Sequence, residues 1–437
     1  MTSPSATPDS EAPLQAEVVI VGGGLVGGLC ALLLAEAGVQ ALVIDAAPPL
    51  TDNARREEVL TQRDARVWAL SPASISLLQR AGVWARVQRD APYQGMQVWS
   101  RDGRGILDFG QVDAPETMAK QLVSQQTLLG SMVEPSVLSL ALQQVMQAKL
   151  GTHYLQSTRL NQIERYSHDW LVTLASGQRY RTPLIIGADG AGSMVRQMAG
   201  IMVDQLDYKQ MALTCAIRTT QPHAGIARQV FLPTGPLALL PMANQPLQPE
   251  AEKDHWQSVV WTLPTVDALD MADWDDARLQ AALASASGYV LGDVTAIESR
   301  GIFPLKAQQA KQYTLDGLAL VGDAAHVVHP MAGQGVNLGC MDAAVLVDAL
   351  LHDRERGLWA HRQSLKRYER TRRLPNSVMM HGLSLLGWLQ SSEQQGVMWL
   401  RGEGMHALAG MPAVRDVISS EASGRSAISA TRYRMPS

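Results

Sequence analysis

Short apolar runs separated by glycine-containing turns are the first pattern along this chain. Val18–Val21, Ala41–Ile44 and Leu318–Val321 are each four residues long and consist of aliphatic side chains. Such runs predict strands that are buried on both faces, as in a parallel sheet. Leu29–Ala37 lies between the first two runs and is helix-forming, and Gly38 follows it as a C-cap. The pattern therefore predicts strand, glycine turn, helix and strand in succession.

The rest of the chain alternates between helical and strand-like periodicity. Further helices are predicted at Ser74–Ala81, at Pro135–Leu150 and from about Val336. Strands are predicted within residues 95–112, 153–190 and 211–263. The polar residues 51–65 predict a loop, and Asp273 is expected to cap a helix. Because the strand-rich blocks interleave with the helical ones, a second domain is expected to be inserted in pieces.

The uncharged stretch Val18–Ala35 is long enough to suggest a membrane span or a secretion signal. The residues before it contain no Lys or Arg, whereas a signal peptide has a basic n-region. Five glycines within seven positions also disfavour an isolated helix. Strand, glycine turn and helix is therefore the preferred interpretation.

Composition narrows the functional classes. The chain has 437 residues and a formal net charge of −4, which argues against a nucleic-acid partner. Cys30, Cys215 and Cys340 are far apart and form no CxxC pair, so we expect a reducing, cytoplasmic compartment.

The glycine turn carries the first chemical signal. Gly22, Gly24 and Gly27 fit the pattern G-x-G-x-x-G, which permits a tight turn, close approach of a pyrophosphate, and close packing of helix on strand. The N-terminus of the following helix would face the phosphates. Asp45 ends the second strand, eighteen residues after Gly27, where a carboxylate can bind ribose hydroxyls. Together these features indicate an adenine dinucleotide, with a glycine-rich helix contact as the alternative.

Two later stretches repeat the motif of an apolar strand that runs into a turn with an acid. These are LIIGADGAGSMVR at Leu184–Arg196 and LALVGDAAHVVHPMAGQGVNLG at Leu318–Gly339. A carboxylate at the end of a strand lies where open α/β sheets bind ligands. Asp323 could therefore bind the ribityl hydroxyls of a flavin, and a helix start behind Pro330–Asn337 would stabilise negative charge on a flavin ring.

At these residues the chain resembles the class A FAD-dependent aromatic monooxygenases, which carry a GxGxxG, a central DG and a later GD motif. Here the last two are Asp189-Gly190 and Gly322-Asp323. Within that family it is similar to the ubiquinone-biosynthesis hydroxylases. The matching segments include DARVWALSPASISLLQRAGVW (64–84), YQGMQVW (93–99) and KRYERTRR (366–373). YQGMQVW, AIRTTQP and RQVF resemble most the branch that hydroxylates C5 of a polyprenylphenol ring.

The resemblance implies an α/β fold of the p-hydroxybenzoate-hydroxylase type. It combines a Rossmann-like FAD-binding domain, an interleaved and mostly antiparallel substrate domain, and C-terminal helices. The expected division is a disordered N-terminus at 1–14, the FAD-binding domain at 15–90, 115–205 and 306–355, the substrate domain at 91–114 and 206–305, helices at 356–425 and a flexible tail at 426–437.

The resemblance also assigns cofactor roles by position. Gly22, Gly24 and Gly27 would hold the FAD pyrophosphate, Asp45 the adenosine ribose, and Arg66 the phosphates from across the cleft. Asp189 and Gly190 would serve both FAD and NAD(P)H, and Asp323 the ribityl chain. The residues expected beside the isoalloxazine are Pro330, Gly333, Gln334, Gly335, Val336 and Asn337.

The implied reaction is hydroxylation of a polyprenylphenol in ubiquinone biosynthesis, with NAD(P)H and O2, through a flavin C4a-hydroperoxide. No side chain is assigned as a catalytic acid or base, and no metal is expected. His326 and His329 are expected to be structural. Two alternatives remain open: hydroxylation of a soluble aromatic compound, and a flavin-binding scaffold in a quinone-synthesis complex.

Three further expectations accompany this assignment. A homo-oligomer or a quinone-biosynthesis complex is a candidate assembly. Contact with the inner face of the membrane is a candidate role for Met379–Leu389 and for the basic tail at residues 423–437. One departure from the family pattern is GSMVEP at Gly130–Pro135, where members commonly have GYxVEN; Pro135 is expected to begin a helix.

Overall fold

The computed structural model describes residues 12–50, 52–101, 106–110, 128–245, 248–249, 252–328, 335–391 and 423–435. The strands are β1 Leu14–Gln15, β2 Val18–Val21, β3 Ala41–Ile44, β4 Trp68–Leu70, β5 Ala91–Tyr93, β6 Gly95–Ser100, β7 Ile106–Gly110, β8 Gly130–Val133, β9 Tyr154–Leu155, β10 Leu160–Tyr166, β11 Asp169–Leu174, β12 Arg179–Thr182, β13 Ile185–Gly187, β14 Val203–Thr219, β15 Ile226–Leu232, β16 Gly235–Pro241, β17 Trp256–Pro264, β18 Val294–Ala310, β19 Thr314–Leu315, β20 Leu318–Leu320 and β21 His326–Val327. The helices are α1 Leu25–Glu36, α2 Asn53–Thr61, α3 Pro72–Arg80, α4 Pro135–Leu150, α5 Met194–Met198, α6 Thr265–Ala272, α7 Asp276–Ala286, α8 Gly335–Arg354, α9 Arg362–Ser391 and α10 Arg425–Ile428.

A parallel sheet forms the first layer, in the strand order β19-β20-β13-β2-β3-β9. All its pairings are parallel except that of β19 with β20. Its central strands are completely buried, as their uninterrupted aliphatic sequences predict. Because β20, β13, β2 and β3 are parallel neighbours, the turns that follow them meet at one edge.

A larger sheet forms the second layer, in the order β21-β18-β14-β17-β16-β15-β6-β7. Its pairings are antiparallel except that between β15 and β6. Side chains alternate between its faces. Leu213 and Trp261 belong to a buried cluster with residues of α6 and α7, whereas Ala212 and Val260 line a cavity on the opposite face. These two layers confirm the predicted α/β fold class.

Two small sheets complete the described strands, in the orders β1-β12-β11-β10 and β4-β8-β5. Leu14 was expected in a disordered N-terminus, but it pairs with Tyr180, and Gln15 pairs with Arg181. The parallel pairing of β1 with β12 satisfies backbone groups that would otherwise remain in solvent.

Residues 51–65 were predicted as a loop, and that prediction was wrong for Asn53–Thr61, which forms α2. Asp52 caps the helix by accepting a hydrogen bond from the Arg55 N–H at 2.8 Å. At the other end, the buried Arg89 guanidinium donates to the carbonyls of Val59, Leu60 and Gln62. A distant cation therefore satisfies carbonyls that the local sequence leaves unpaired.

The helix expected after Asp273 begins later. Asp275 is its cap, accepting from the Arg278 N–H at 2.8 Å, and α7 starts at Asp276. Pro135 begins α4, as predicted. Both helices follow the preference for a short acceptor or a proline at the helix start.

The flexible tail expected at 426–437 is contradicted for residues 426–435, which pack on the core. Ile428 and Tyr433 belong to the main hydrophobic cluster. Arg432 forms ion pairs with Asp348 at 3.1 Å and Glu355 at 3.2 Å. Apolar burial at two positions and ion pairing to α8 explain why this polar sequence is ordered.

Within the described residues, α8 is the helix whose length and hydropathy would allow it to cross a membrane. Its most apolar window is 78% buried inside the protein. The helix packs against α1 and α9, so its apolar character is accounted for by the core.

Candidate cofactor and active site

The turn after β2 has the geometry of a phosphate-binding loop. Gly22 has a φ of +102°, and a Cβ there would overlap the carbonyl oxygen of Ala188. A Cβ on Gly27 would overlap the carbonyl oxygen of Gly22, so this glycine allows α1 to pack closely on the strand. A Cβ on Gly24 meets no heavy atom of the described residues within 4 Å. The three glycines therefore leave open space in front of the N-terminus of α1.

Asp45 lies beside that turn, at the end of β3. Its Oδ1 accepts from the Ala47 N–H at 3.0 Å, and its Oδ2 accepts from the Tyr154 hydroxyl at 3.3 Å. A Cβ on Gly23 would contact the same carboxylate. Burial and the nearby Asp45 charge raise the pKa of Tyr154. Tyr154 could not be predicted from the sequence, because its contact with Asp45 depends on the pairing of β3 with β9.

Asp323 lies at the end of β20, in the turn Gly322–Ala324, and lines the cavity described below. The surrounding protein raises the pKa of its carboxyl, while the charges of His326 and Arg66 act in the opposite direction. Arg66 is exposed into the same cavity, and its Cζ lies 5.3 Å from the centre of the Phe303 ring. The structure thus brings Arg66 and Asp323 to one cavity from distant parts of the chain.

Asp189 and Gly190 have different surroundings. The Asp189 carboxylate accepts from the Ser193 hydroxyl at 2.5 Å and from the Val195 N–H at 3.0 Å. Its side chain is thereby used to hold the start of α5, whereas Gly190 lines the cavity with a φ of +80°. Only the glycine of the DG motif, with its backbone, faces the space where a cofactor is expected.

The start of α8 also faces the cavity, through Gly335 and Val336. Pro330, Gly333 and Gln334 lie outside the described residues. Gly335 and Val336 place the first turn of a long helix at the cavity wall, where its N–H groups favour negative charge.

Asn337, by contrast, is buried and bonded to the protein. Its Oδ1 accepts from the Ser71 N–H at 2.9 Å and the Ser74 hydroxyl at 2.8 Å, and its Nδ2 donates to the Ala69 carbonyl at 2.8 Å. These contacts fix the start of α3 against α8. The side chain therefore positions the loop and does not line the cavity.

A cavity of about 530 Å³ lies between the two layers. From the parallel-sheet side it is lined by Gly24, Leu25, Arg66, Gly190, Asp323 and Val336. From the large sheet it is lined by a mainly apolar set, Ala212, Ala227, Pro236, Ala238, Leu240 and Val260, together with the polar Thr214, Gln229 and Thr262. A dinucleotide edge and an apolar wall thus meet in one space, as is common for sites that hold a cofactor and a small molecule.

The cavity wall also carries aromatic side chains, including Trp68, Tyr93 and Phe303. Burial raises the pKa of Tyr93 to about 12, so its hydroxyl stays neutral at physiological pH. Tyr93 lies in YQGMQVW, a segment that carried the family resemblance without a role for this tyrosine.

A buried charged network lies behind the turn Gly322–Ala324. From the sequence, only a structural role of His326 was expected there. His326 Nε2 lies 2.6 Å from Oδ2 of Asp342, and Asp342 Oδ1 accepts from Arg372 Nε at 2.7 Å. Asn376 Nδ2 also donates to Oδ1 at 3.2 Å. The expected structural role of His326 agrees with this geometry, while His329 lies outside the described residues.

A second buried ion pair supports the segment that carries Arg66. Arg89 Nε lies 2.6 Å from Glu134 Oε2, with both side chains almost fully buried. Glu134 also accepts from the Asp64 N–H at 2.9 Å. In the departure GSMVEP, Ser131 donates to Asp90 at 2.6 Å, so the serine is part of the local hydrogen bonding.

These residues fit FAD and do not suggest a metal. The site offers open space at Gly24 in front of a helix N-terminus, and Arg66 and Asp323 face the same cavity. These features match a large anionic cofactor that carries hydroxyl groups. Among the described residues, no group of three or more His, Cys, Asp or Glu side chains could hold a metal ion.

Comparison with known proteins agrees with that fit. A family model described as FAD binding domain matches residues 15–381. The 3-demethoxyubiquinol 3-hydroxylase of Escherichia coli (strain K12) is 38% identical over 373 residues, covering 84% of this chain and 88% of that protein. The ubiquinone hydroxylase UbiL of Rhodospirillum rubrum is 33% identical over 413 residues, covering 94% and 90%.

A solved structure shows the same fold. The p-nitrophenol 4-monooxygenase PnpA of Pseudomonas putida DLL-E4 has a TM-score of 0.69 at 16% identity, covering 94% of this chain and 98% of that one. The expectations of an FAD-dependent enzyme and of NAD(P)H as electron donor are confirmed. The chain belongs to the FAD-binding family of class A flavoprotein monooxygenases and is homologous to hydroxylases of ubiquinone biosynthesis.

Proposed function

We propose that this enzyme hydroxylates the aromatic ring of a polyprenylated intermediate of ubiquinone biosynthesis, using NAD(P)H and O2. The observation that carries the proposal is the apolar wall of the large sheet, which faces the FAD-binding edge across one cavity. The names of the two bacterial relatives support a ring in ubiquinone synthesis as the substrate class.

We also propose the cofactor contacts. Gly22, Gly24 and Gly27 would hold the pyrophosphate at the start of α1, and Asp323 the ribityl hydroxyls. Arg66 lines the same cavity and would meet phosphate charge there. Asp45 lies near the turn, but its oxygens already accept from Ala47 and Tyr154, so it would share them with the ribose.

FAD, when bound, takes electrons from NAD(P)H and supplies the chemistry by which an oxygen atom of O2 reaches the ring. The chain's own residues bind, orient and exclude water. Ala238, Val260 and their neighbours form an apolar wall that keeps water from the reacting ring. Tyr93 offers a neutral hydroxyl to the ring's own hydroxyl, and Gln229 offers an amide.

The ring position is a finer proposal. The sequence segments favour C5 of a polyprenylphenol, and we keep that as the first candidate. The Escherichia coli relative, by its name, acts on a demethoxyubiquinol ring, which favours that ring as the second candidate. A long prenyl chain would have to leave the cavity, because about 530 Å³ holds little more than a ring and the flavin edge.

The test uses FAD-loaded enzyme with NAD(P)H, O2 and either a 3-polyprenylphenol or a demethoxyubiquinol. NAD(P)H oxidation, H2O2 and hydroxylated product are measured in the same reaction. We expect product in near-stoichiometric amount with one of the two rings. H2O2 without product from either ring would contradict the proposal and favour a soluble aromatic substrate.

The scaffold alternative has its own test. A hydroxylase needs bound flavin for turnover, so a gene with Asp323→Ala should fail to complement a quinone-deficient strain. A scaffold needs no turnover and should still complement. Equal complementation by this variant, at equal protein level, would favour the scaffold.

A further inference from the structure

Helix α9 presents an exposed face with a dense positive charge. The exposed basic residues on it are Arg362, Lys366, Arg367, Arg370 and Arg373. Their spacings place them on one side of the helix, because residues three and four apart are neighbours. The buried side of the same helix carries Tyr368, Arg372 and Asn376, which bind the core.

Most of this charge is not neutralised by ion pairs within the described residues. Lys366 pairs with Glu369 at 2.8 Å. The side chains of Arg362, Arg367, Arg370 and Arg373 form no ion pair with any residue in the described part of the chain. The chain as a whole carries a net charge of −4, so four arginines without an ion pair to a described residue, all on one helix face, are a local concentration of the opposite sign.

The same face continues into exposed apolar residues. Leu374 is 69% exposed and Val378 is 65% exposed, and they follow Arg370 at intervals of four. Leu206 of β14 is 49% exposed and lies opposite Ala307 in the pairing with β18. Ala307 belongs to one buried cluster with Met380 of α9, so Leu206 pairs with a strand position that packs near this end of the helix.

This face lies next to the cavity. Met380 packs against Val328, and Val328 lines the cavity wall. Met380 of α9 therefore belongs to the same buried cluster as a residue of the cavity wall.

We propose that the exposed face of α9 docks on a bilayer that contains anionic phospholipids. Guanidinium groups bind phosphate oxygens, and neighbouring aliphatic side chains can enter the acyl boundary. Charge complementarity carries this choice, since a helix face with exposed arginines and an apolar end matches an anionic interface. An acidic protein surface would meet the arginines but leave Leu374 and Val378 unexplained.

This location differs from the lipid contacts expected from the sequence. One basic residue of the tail, Arg432, is ion-paired to Asp348 and Glu355. Within Met379–Leu389, Met380 is buried and packs in a cluster with Val328 of the cavity wall. The proposed lipid-binding surface lies instead in the turns of α9 that precede Met379. If the proposed function holds, the same surface would hold the cavity close to the membrane that contains the prenylated substrate.

The first experiment is vesicle flotation of the FAD-loaded enzyme without substrate. Vesicles of pure phosphatidylcholine are compared with vesicles that contain phosphatidylglycerol, at low and high salt. We expect binding only to the anionic vesicles, with loss at high salt. Equal binding to both, or no binding to either, would overturn the proposal, and neither result depends on the substrate.

The second experiment changes the charge. Each arginine near an anionic surface contributes about fivefold in affinity, so R367E/R370E/R373E should lose at least on the order of 100-fold. R56E/R86E/R159E carries the same charge change at exposed positions elsewhere and should retain more of the binding. FAD content and thermal stability of both variants report folding. Equal loss in the two variants would leave only net charge as the cause and would overturn the assignment to α9.

Discussion

The carboxylate of Asp342 lies 2.6 Å from His326 Nε2, and the same oxygen accepts from the backbone N–H of Gly322 at 3.1 Å. Gly322 precedes Asp323, the carboxylate that lines the cavity. The other oxygen of Asp342 binds Arg372 of α9. One buried carboxylate therefore connects two helices to the turn that faces the cofactor site.

Stability at low pH should depend on Asp342. Burial opposes its ionisation, but His326 and Arg372 outweigh burial and lower its pKa from 3.8 to about 2. A carboxyl whose folded pKa is lowered stabilises the fold above its unfolded pKa and loses that contribution as the pH falls. We expect about 2 kcal/mol of unfolding free energy to be lost between about pH 4 and pH 2.

Urea unfolding of the wild type and of Asp342→Asn at several pH values checks this. The variant should be less stable at pH 6 by about 3–5 kcal/mol, because it leaves the buried Arg372 guanidinium without its carboxylate. It should also lack this part of the pH dependence. An identical pH dependence in both proteins would contradict the assignment.

Two glycine substitutions should separate cofactor binding from folding. Gly24→Ala adds a methyl group to open space, so the apoprotein should keep its melting temperature while FAD binds more weakly. Gly27→Ala would overlap the Gly22 carbonyl and should destabilise the fold by about 1–3 kcal/mol. Calorimetry of the apoproteins and fluorescence titration with FAD measure the two effects. Unchanged FAD affinity in Gly24→Ala would mean that the cofactor does not approach this turn.

Asp323→Ala should weaken FAD binding by about 10- to 100-fold, the loss expected when a charged acceptor is removed from ligand hydroxyls. Asp204→Ala is a matched control, since Asp204 is an exposed carboxylate paired only with Lys311 at 3.4 Å among its ion pairs with described residues. Fluorescence titration with FAD should show no change for the control. Equal affinities for the two variants would contradict a ribityl contact.

Filling the apolar wall should separate NAD(P)H oxidation from hydroxylation. Ala238→Phe adds a ring on the large-sheet side of the cavity, away from Gly24 and Asp323. FAD should still bind, while the electrons from NAD(P)H should end in H2O2 because the ring substrate is displaced. Assays of NAD(P)H, H2O2 and product measure the ratio. A normal ratio in this variant would place the substrate elsewhere.

Arg89→Met should destabilise the protein by about 3–5 kcal/mol, because Glu134 would remain buried without a counter-charge. Arg86→Met, at an exposed neighbour, should change the unfolding free energy by less than about 0.5 kcal/mol. Urea unfolding compares them. Arg89→Met with Glu134→Leu should recover part of the loss. A single variant as stable as the wild type would show that the pair is dispensable.

The parts of the fold that the sequence predicted are local. Val18–Val21 and Ala41–Ile44 are strands within the predicted bounds, and Pro135 begins α4, because burial and backbone preference are encoded in neighbouring residues. Gly22 and Gly24 could be assigned to the turn for the same reason, and Gly27 lies in the first turn of α1.

The missed parts depend on residues that are far apart in the chain. Helix α2 needs the Arg89 guanidinium at its C-terminal carbonyls. Neither the Arg89–Glu134 pair nor the binding of Arg372 to Asp342 follows a local pattern. Asp189 matched a family motif, but its carboxylate is engaged by Ser193, which only the folded loop shows.

The order of strands in the parallel sheet has a consequence for biosynthesis of the protein. The central strand β2 emerges from the ribosome early, but its neighbour β13 and then β20 are synthesised much later. The cofactor edge is thus incomplete until the segment with Asp323 and the first turn of α8 has been translated. Nascent chains that end before β20 should therefore be unable to retain FAD, which makes cofactor loading one of the last events in the maturation of this enzyme.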